Sequence, residues 1–232
     1  MSFNQILATM ATSDAARVKP TLEDVALEQG QILFHVDAPI SHVYFPHNAV
    51  VSLQVLGIDG AVVEAATIGS EGMAGLGGLL ATDVSFTRQI VQLPGRAARI
   101  PRSALLSAVN KSASLRNLLY SHADAFTSQV LQTSACNAQH STEERMARWL
   151  LMAFDRSGSE RINLSHDDLA VAFGVRRPTV TLILHSLQAA RILETTRRSI
   201  AVVDRADLEQ ISCECYQAIR RNYARVFAQR RP

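Results

Sequence analysis

Apolar and polar positions follow two regimes along the chain, changing over at Pro101. Before it, from Leu22 onward, apolar residues come in short runs separated by turn residues: 31–36, 42–46, 50–55, 62–67, 89–93 and 96–100. Period-two runs of this length, bounded by Gly, Pro, Asn and Asp, predict strands. Gly57-Ile58-Asp59-Gly60 between two of them predicts a hairpin turn. A series of short strands at this spacing predicts an antiparallel β-roll, a double-stranded β-helix of jelly-roll type. Residues 1–20 are polar and alanine-rich, with a short amphipathic piece at residues 6–10. The glycine-rich stretch at residues 68–80 predicts a tight turn into a short helix capping the roll. It is no dinucleotide fingerprint, because Leu80 stands where the third glycine belongs, and Gly69-Ser70-Glu71-Gly72 lacks the spacing of a nucleophile elbow.

After Pro101 the apolar period becomes helical. Ser103 is placed to cap a short helix through Val109, and Ser112 a long one to about Gln139. Along the long helix Leu115, Leu119, His122, Phe126, Gln129 and Thr133 repeat at 4-3 spacing, with Leu118 and Val130 beside them. Its first half predicts a helix–helix seam; the alternative is a long helix packed on its own β-domain. A third helix is expected at residues 143–154, with Met146, Trp149, Leu150 and Ala153 on one face and a loop at 156–159. Ser165 and Asp168 then form a capping box that starts a helix running to Phe173. Gly174 breaks it, and a second helix starts around residues 176–178, where Pro178 costs nothing because its missing N–H has no helical partner. Val180, Ile183, Leu184 and Leu187 form its buried stripe; Pro178, Thr181, Leu182 and His185 face the other way, flanked by Arg177 and Thr179. A hairpin at 192–195 and 200–203 turns through Thr196-Arg197-Arg198-Ser199, and residues 204–229 predict one or two amphipathic helices before a basic tail with Arg230 and Arg231.

Two short helices about a glycine turn, followed by a hairpin with a basic tip, describe a winged helix-turn-helix. A helix that enters the major groove needs an apolar face behind it and cations beside it for phosphates. The same pattern also suits a packed helical hairpin with an incidental arginine pair. Charge favours the first reading. The net charge of +2 conceals −2 over residues 1–139 (8 Lys/Arg, 10 Asp/Glu) and +4 over 140–232 (15 Arg, 11 Asp/Glu). The basic excess therefore falls in the half with the helix-turn-helix. At 232 residues, 47% hydrophobic and 19% charged, the chain suits one large or two ordinary soluble domains. It has no apolar run of the roughly 18 residues a membrane span needs, and no signal pattern at its start. Cys136, Cys213 and Cys215 form no zinc-like spacing with histidines and no disulfide framework, which fits a cytoplasmic protein; Cys213-Glu214-Cys215 is either structural or redox-active. No metal, cofactor or catalytic group is expected.

The order β-roll, long helix, winged helix-turn-helix resembles the Crp/Fnr family of bacterial transcription regulators over residues 22–204. The resemblance is most specific at residues 165–187, centred on Phe173-Gly174-Val175-Arg176-Arg177-Pro178-Thr179-Val180. It implies an α+β chain with a sensory roll over 1–111, a dimerisation helix over 112–139 and a DNA-binding region over 140–232. A homodimer on a palindromic operator in double-stranded DNA, contact with RNA polymerase, and seam residues Leu115, Leu119, His122 and Phe126 follow from the same resemblance. Arg177, Pro178 and Leu182 fall on the base-reading positions. Ser165, Arg176, Thr179, Thr181 and His185, with Arg197 and Arg198 on the wing, fall on phosphate or rim positions.

The chain departs from the family's cyclic-AMP-binding members. Their Gly-Glu pair for the ribose would place the glutamate at Ala74 or Leu76, and their Arg-Ser pair for the phosphate falls on Ser85-Phe86 or Phe86-Thr87. Neither register supplies a cation to a buried phosphate. Gly75, Leu76, Ser85, Phe86, Thr87 and Arg88 mark where an effector pocket would lie. Oxygen-sensing members hold an iron–sulfur cluster on N-terminal cysteines, whereas here no cysteine precedes Cys136; haem would have His35, His42, His47 and His122 as ligand choices. The expected function is a dimeric regulator independent of cyclic AMP. The alternatives are the same regulator governed by a nucleotide or another small-molecule effector in a rebuilt pocket, or an enzyme, for which no triad or metal motif is present.

Overall fold

The computed structural model describes residues 4–58, 60–79 and 82–228. Two short helices, α1 (Gln5–Ala8) and α2 (Thr12–Val18), precede strands β1 (Glu23–Leu27), β2 (Ile32–Phe34), β3 (His42–Pro46), β4 (Val50–Leu56), β5 (Val62–Ile68), β6 (Arg88–Leu93) and β7 (Gly95–Pro101). These pair antiparallel into two facing sheets, ordered β1-β7-β3 and β2-β6-β4-β5, which make the roll. Helices α3 (Arg102–Lys111), α4 (Ala113–Gln139) and α5 (Thr142–Ser157) follow. Strand β8 (Arg161–Ile162), α6 (His166–Phe173), α7 (Arg177–Ala189), β9 (Leu193–Thr196) and β10 (Ser199–Val202) then form the winged helix-turn-helix, and α8 (Arg205–Ile211) and α9 (Cys215–Ala228) end the described chain.

Most of this matches the periodicity, with instructive exceptions. β1 does not alternate cleanly, because its outer positions carry Glu23 and Asp24, ion-paired to Arg99 and Arg96 on β7. Ser103 does not cap α3; the helix starts at Arg102 after Pro101, with no side-chain cap. Ser112 does cap α4, accepting from the Leu115 N–H at 3.2 Å. In the glycine-rich stretch Gly75 has φ +89°, and a β-carbon there would lie 3.1 Å from the His42 carbonyl oxygen, so the turn fits only glycine. Residues 76–79 form the short capping helix, of 3-10 type. Asp59 of the expected hairpin turn, Leu80 of the glycine-rich stretch, and Gln229, Arg230 and Arg231 of the tail lie outside the described residues.

The long helix presents a correction. Leu115, Leu119 and His122, expected at a dimer seam, are buried within their own chain, and Phe126 is half-buried there. Leu115 and Leu119 join the core beneath the roll, while His122 packs between Phe126 and Tyr223 of α9. α9 folds back along α4 and covers this face, and the sequence pattern alone could not show which partner does so. A second stripe on α4, Asn117, Tyr120, Asp124, Thr127, Leu131 and Ser134, repeats at the same 4-3 spacing and is exposed.

One apolar cluster extends from Ile6 and the roll through α4 and α5 to Leu184 of α7 and Val226 of α9. Buried polar groups fasten the helix-turn-helix domain to the roll across it. Arg156 at the end of α5 pairs with Glu71 at 2.8 Å and donates to Gln129 Oε1 of α4 at 3.0 Å and to the Thr67 hydroxyl of β5. Its stem lies over Gly69, where a β-carbon would fall 2.3 Å from Arg156 Cγ. Trp149 Nε1 of α5 donates to Glu64 of β5 at 2.7 Å, and Ser52 of β4 donates to the other carboxylate oxygen at 2.6 Å.

Burial lifts the Glu64 carboxyl to about 7, against the pull of those two hydrogen bonds and of Arg148 and Arg156. An acid with a raised folded-state value binds its proton more tightly in the folded chain than in the unfolded one. Stability is therefore lost as pH rises from about 4.5 to about 7, by a total on the order of 3 kcal/mol. Glu64→Gln keeps the acceptor for Trp149 and can donate to Ser52. Thermal melting across this pH range should show that component of the decline in the parent chain and not in the variant.

Candidate nucleic-acid interface

Each part of the helix-turn-helix is held by a local device. Ser165 accepts from the Asp168 N–H at 3.2 Å while Asp168 accepts from the Ser165 N–H at 2.9 Å, the reciprocal cap that starts α6. Gly174 ends it at φ +62°, a left-handed turn that turns the chain into α7. Pro178 lies in the first turn of α7, whose cap, Arg176, contributes no side-chain bond. Val180, Leu184 and Leu187 are fully buried and Ile183 partly so, the stripe the spacing predicts. β9 and β10 place Arg197 and Arg198 alone at the wing tip; β9 lies one residue later and β10 one residue earlier than the periodicity suggests, so the turn shortens to two residues.

The outward face carries Arg176, Arg177, Pro178, Leu182 and His185, all exposed, with Leu182 at 71%. Ser165, Thr179 and Thr181 are half-buried. Ser165 is committed to its cap, and the Thr181 hydroxyl is bonded to His166 Nδ1 at 2.9 Å. Partial burial, with the nearby Arg177 and His185, lowers the His166 imidazole from its ordinary value. Arg177 lies 3.5 Å from Asp167 across the turn, an exposed pair weak enough to yield to a stronger acceptor. Leu182 is an exposed leucine on a helix otherwise packed on its apolar side, and it offers only dispersion contact.

Arg177, Arg197 and Arg198 line one side of a cleft of about 810 Å³, with His166 and Asp167 between them. Gln29, Gly30, Ile90, Val91 and Gln92 of the roll line the other side. The start of α7 and the wing thus look toward the roll across open space.

The expected effector positions are packed together. The Gly75 N–H donates to Gln89 Oε1 at 3.1 Å, Ser85 donates to the Thr87 carbonyl at 2.8 Å, and Gln89 Nε2 reaches Ser85 at 3.4 Å. Arg88 makes two bonds to Gln54 Oε1, at 3.0 and 2.7 Å, while Leu76 is half-buried and Phe86 is exposed. The cysteines correct the expectation that they form no metal-type group. Cys136, Cys213 and Cys215 are buried in one cluster with His140, although spacing in the sequence gave no sign of it.

Residues 144–211 match the model of the Crp-like helix-turn-helix domain. The chain carries a Crp-like helix-turn-helix on a Crp/Fnr-type fold. That fold recurs in a Crp/Fnr-family transcriptional regulator from Eubacterium rectale, with TM-score 0.67 and 16% identity, covering 89% of this chain and 96% of the other. FixK2 from Bradyrhizobium japonicum aligns at TM-score 0.66 and 20% identity over 83% of this chain and 98% of its own. The c-di-GMP-responsive global regulator CLP of Xanthomonas campestris aligns at TM-score 0.63 and 17% identity, over 83% and 99%. No curated protein matches the chain in sequence. The chain thus shares the Crp/Fnr-type fold of these structures over most of its length and carries a Crp-like helix-turn-helix domain at residues 144–211. No helix among the described residues is long and apolar enough to cross a membrane.

Proposed function

We propose that the chain regulates transcription as a homodimer that reads a palindromic operator with α7, independently of cyclic AMP. The observation that carries the reading is the exposed face of α7, an N-terminal arginine followed by apolar reading positions, beside a two-arginine wing. Arg177 suits a bidentate contact to guanine O6 and N7, whereas Pro178 and Leu182 suit a thymine methyl. Arg176, Thr179, His185, Arg197 and Arg198 are placed for phosphates, which position the protein without specifying sequence. Ser165 and Thr181 serve the scaffold first. Independence of cyclic AMP is supported by the mutual bonding of Gly75, Ser85 and Gln89 and by the clamping of Arg88 on Gln54, which commits the cation at the expected phosphate position to a side-chain amide. RNA polymerase and a cytoplasmic setting belong to the same reading through the family resemblance.

A second reading rests on the cleft between wing and roll. Its three arginines and volume of about 810 Å³ suit an anionic small molecule of nucleotide size, which would occupy the cations that DNA needs. Selection from a randomised duplex pool without added ligand separates the two. Tight, salt-sensitive binding to a palindrome supports the first; weak binding that no salt condition rescues supports the second. On the selected site, Arg177→Ala should cost about 1–3 kcal/mol and relax preference at one guanine. Replacing Arg197 and Arg198 by Ala should instead weaken binding evenly across sequences and flatten the log–log salt slope of the dimer by about 4, two per half-site.

The dimer face is the exposed stripe of α4 with Tyr120 and Leu131, not the buried one. Leu131→Glu should leave the melting temperature nearly unchanged and shift the chain to monomer in sedimentation. Leu115→Ala should cost about 2–5 kcal/mol of folding stability with no selective effect on assembly.

A further inference from the structure

The C-terminal end of α4 and the junction between α8 and α9 bring four metal-type ligands together. Cys136 lies in the last turn of α4 and His140 is the residue that caps its end, and Cys213 and Cys215 flank Glu214 where α8 gives way to α9. Cys136 Sγ lies 3.5 Å from Cys213 Sγ, and Cys215 Sγ lies 3.7 Å from His140 Nδ1. All four ligand atoms lie within 4.8 Å of one another. A tetrahedral zinc ion with ordinary Zn–S and Zn–N bonds separates its ligands by about 3.6–3.8 Å. The four side chains therefore already sit near the corners of such a site. We propose that the chain binds one structural zinc ion through Cys136, His140, Cys213 and Cys215.

Surrounding groups fit that assignment. His140 turns its second nitrogen, Nε2, to Glu214 at 3.3 Å, the carboxylate–histidine arrangement that orients a zinc-bound imidazole. Gln132 Nε2 donates to Cys215 Sγ at 3.1 Å, a bond that stabilises a thiolate. Three thiolates, one neutral imidazole and Zn²⁺ carry a net charge of −1, so binding expels three thiol protons. Arg148, buried and close enough to Cys136 to act on it electrostatically, supplies the compensating charge. Among the described residues its guanidinium Nε has no hydrogen-bond partner and its hydrogen bond is to Met152 Sδ, so no carboxylate is hydrogen-bonded to it, although it also attracts the Glu64 carboxyl. Four protein ligands leave no open position, which makes the site structural rather than catalytic. Zinc would clasp α9 to the end of α4, beside the joint at which α4 passes into α5. It would thereby fix where the DNA-binding domain sits on the helix that pairs two chains.

The test is a titration of the full chain, prepared reduced and metal-free, with Co²⁺ and then Zn²⁺. One equivalent of Co²⁺ should give intense tetrahedral visible bands with thiolate charge transfer, and one equivalent of Zn²⁺ should abolish them. The zinc-loaded chain should hold three thiols protected from a thiol reagent until a chelator is added, and should melt at a higher temperature than the stripped chain. Cys213→Ser and Cys136→Ser should bind cobalt at least tenfold more weakly, and His140→Ala should keep charge transfer at reduced affinity. A pale octahedral cobalt spectrum from the parent chain, or thiols equally reactive with and without zinc, would overturn the assignment whether or not any variant folds. So would metal content unchanged in the double variant Cys213→Ser/Cys215→Ser.

Discussion

A single buried guanidinium ties the three parts of this chain together. Arg156 leaves α5, crosses Gly69, and finds Glu71 and Thr67 on the roll and Gln129 on the long helix. A buried cation with all its partners adds little net stability, but deprived of one it costs about 3–5 kcal/mol. Each of the three units therefore holds its place only while the other two hold theirs. Glu64 repeats the logic one strand turn away, a buried acid shared by Ser52 of the roll and Trp149 of α5. These contacts lie within one continuous apolar cluster, so docking of the DNA-binding domain is part of the core rather than an attachment to it.

That docking determines what the rest of the surface can do. It turns the start of α7 and the basic wing toward the roll, across the cleft that Gln29 and Ile90 line. A duplex seated on Arg177, Arg197 and Arg198, as proposed, would enter the space between the wing and the roll. The fold also assigns the two stripes of α4 different work. The inner one, with Leu115 and His122, is covered by the roll and α9, and the outer one, with Tyr120 and Leu131, is left exposed. The cluster of Cys136, His140, Cys213 and Cys215 sits where inner stripe, α9 and the start of α5 meet, the point at which a metal clasp would do most to fix the geometry.

Local signals were legible and long-range ones were not. The capping box at Ser165, the left-handed Gly174, the Ser112 cap and the stripe Val180, Leu184 and Leu187 are set by residues within a turn or two of each other. Periodicity reads such relations directly. The choice between the two stripes of α4 depended on α9, nearly a hundred residues along, as with the Asn222–Ser128 contact across 94 residues. Cys136 and Cys213, 77 residues apart, were invisible as a pair for the same reason. Thr181 looked like a phosphate contact by position, and only the placement of His166 showed its hydroxyl to be occupied.

Hydrogen exchange of the full chain, with and without its selected duplex, tests the central claim most directly. If α7 and the wing carry the DNA contact, exchange at residues 177–185 and 196–199 slows on the selected duplex. Protection confined to the roll, with α7 and the wing unchanged, would contradict it.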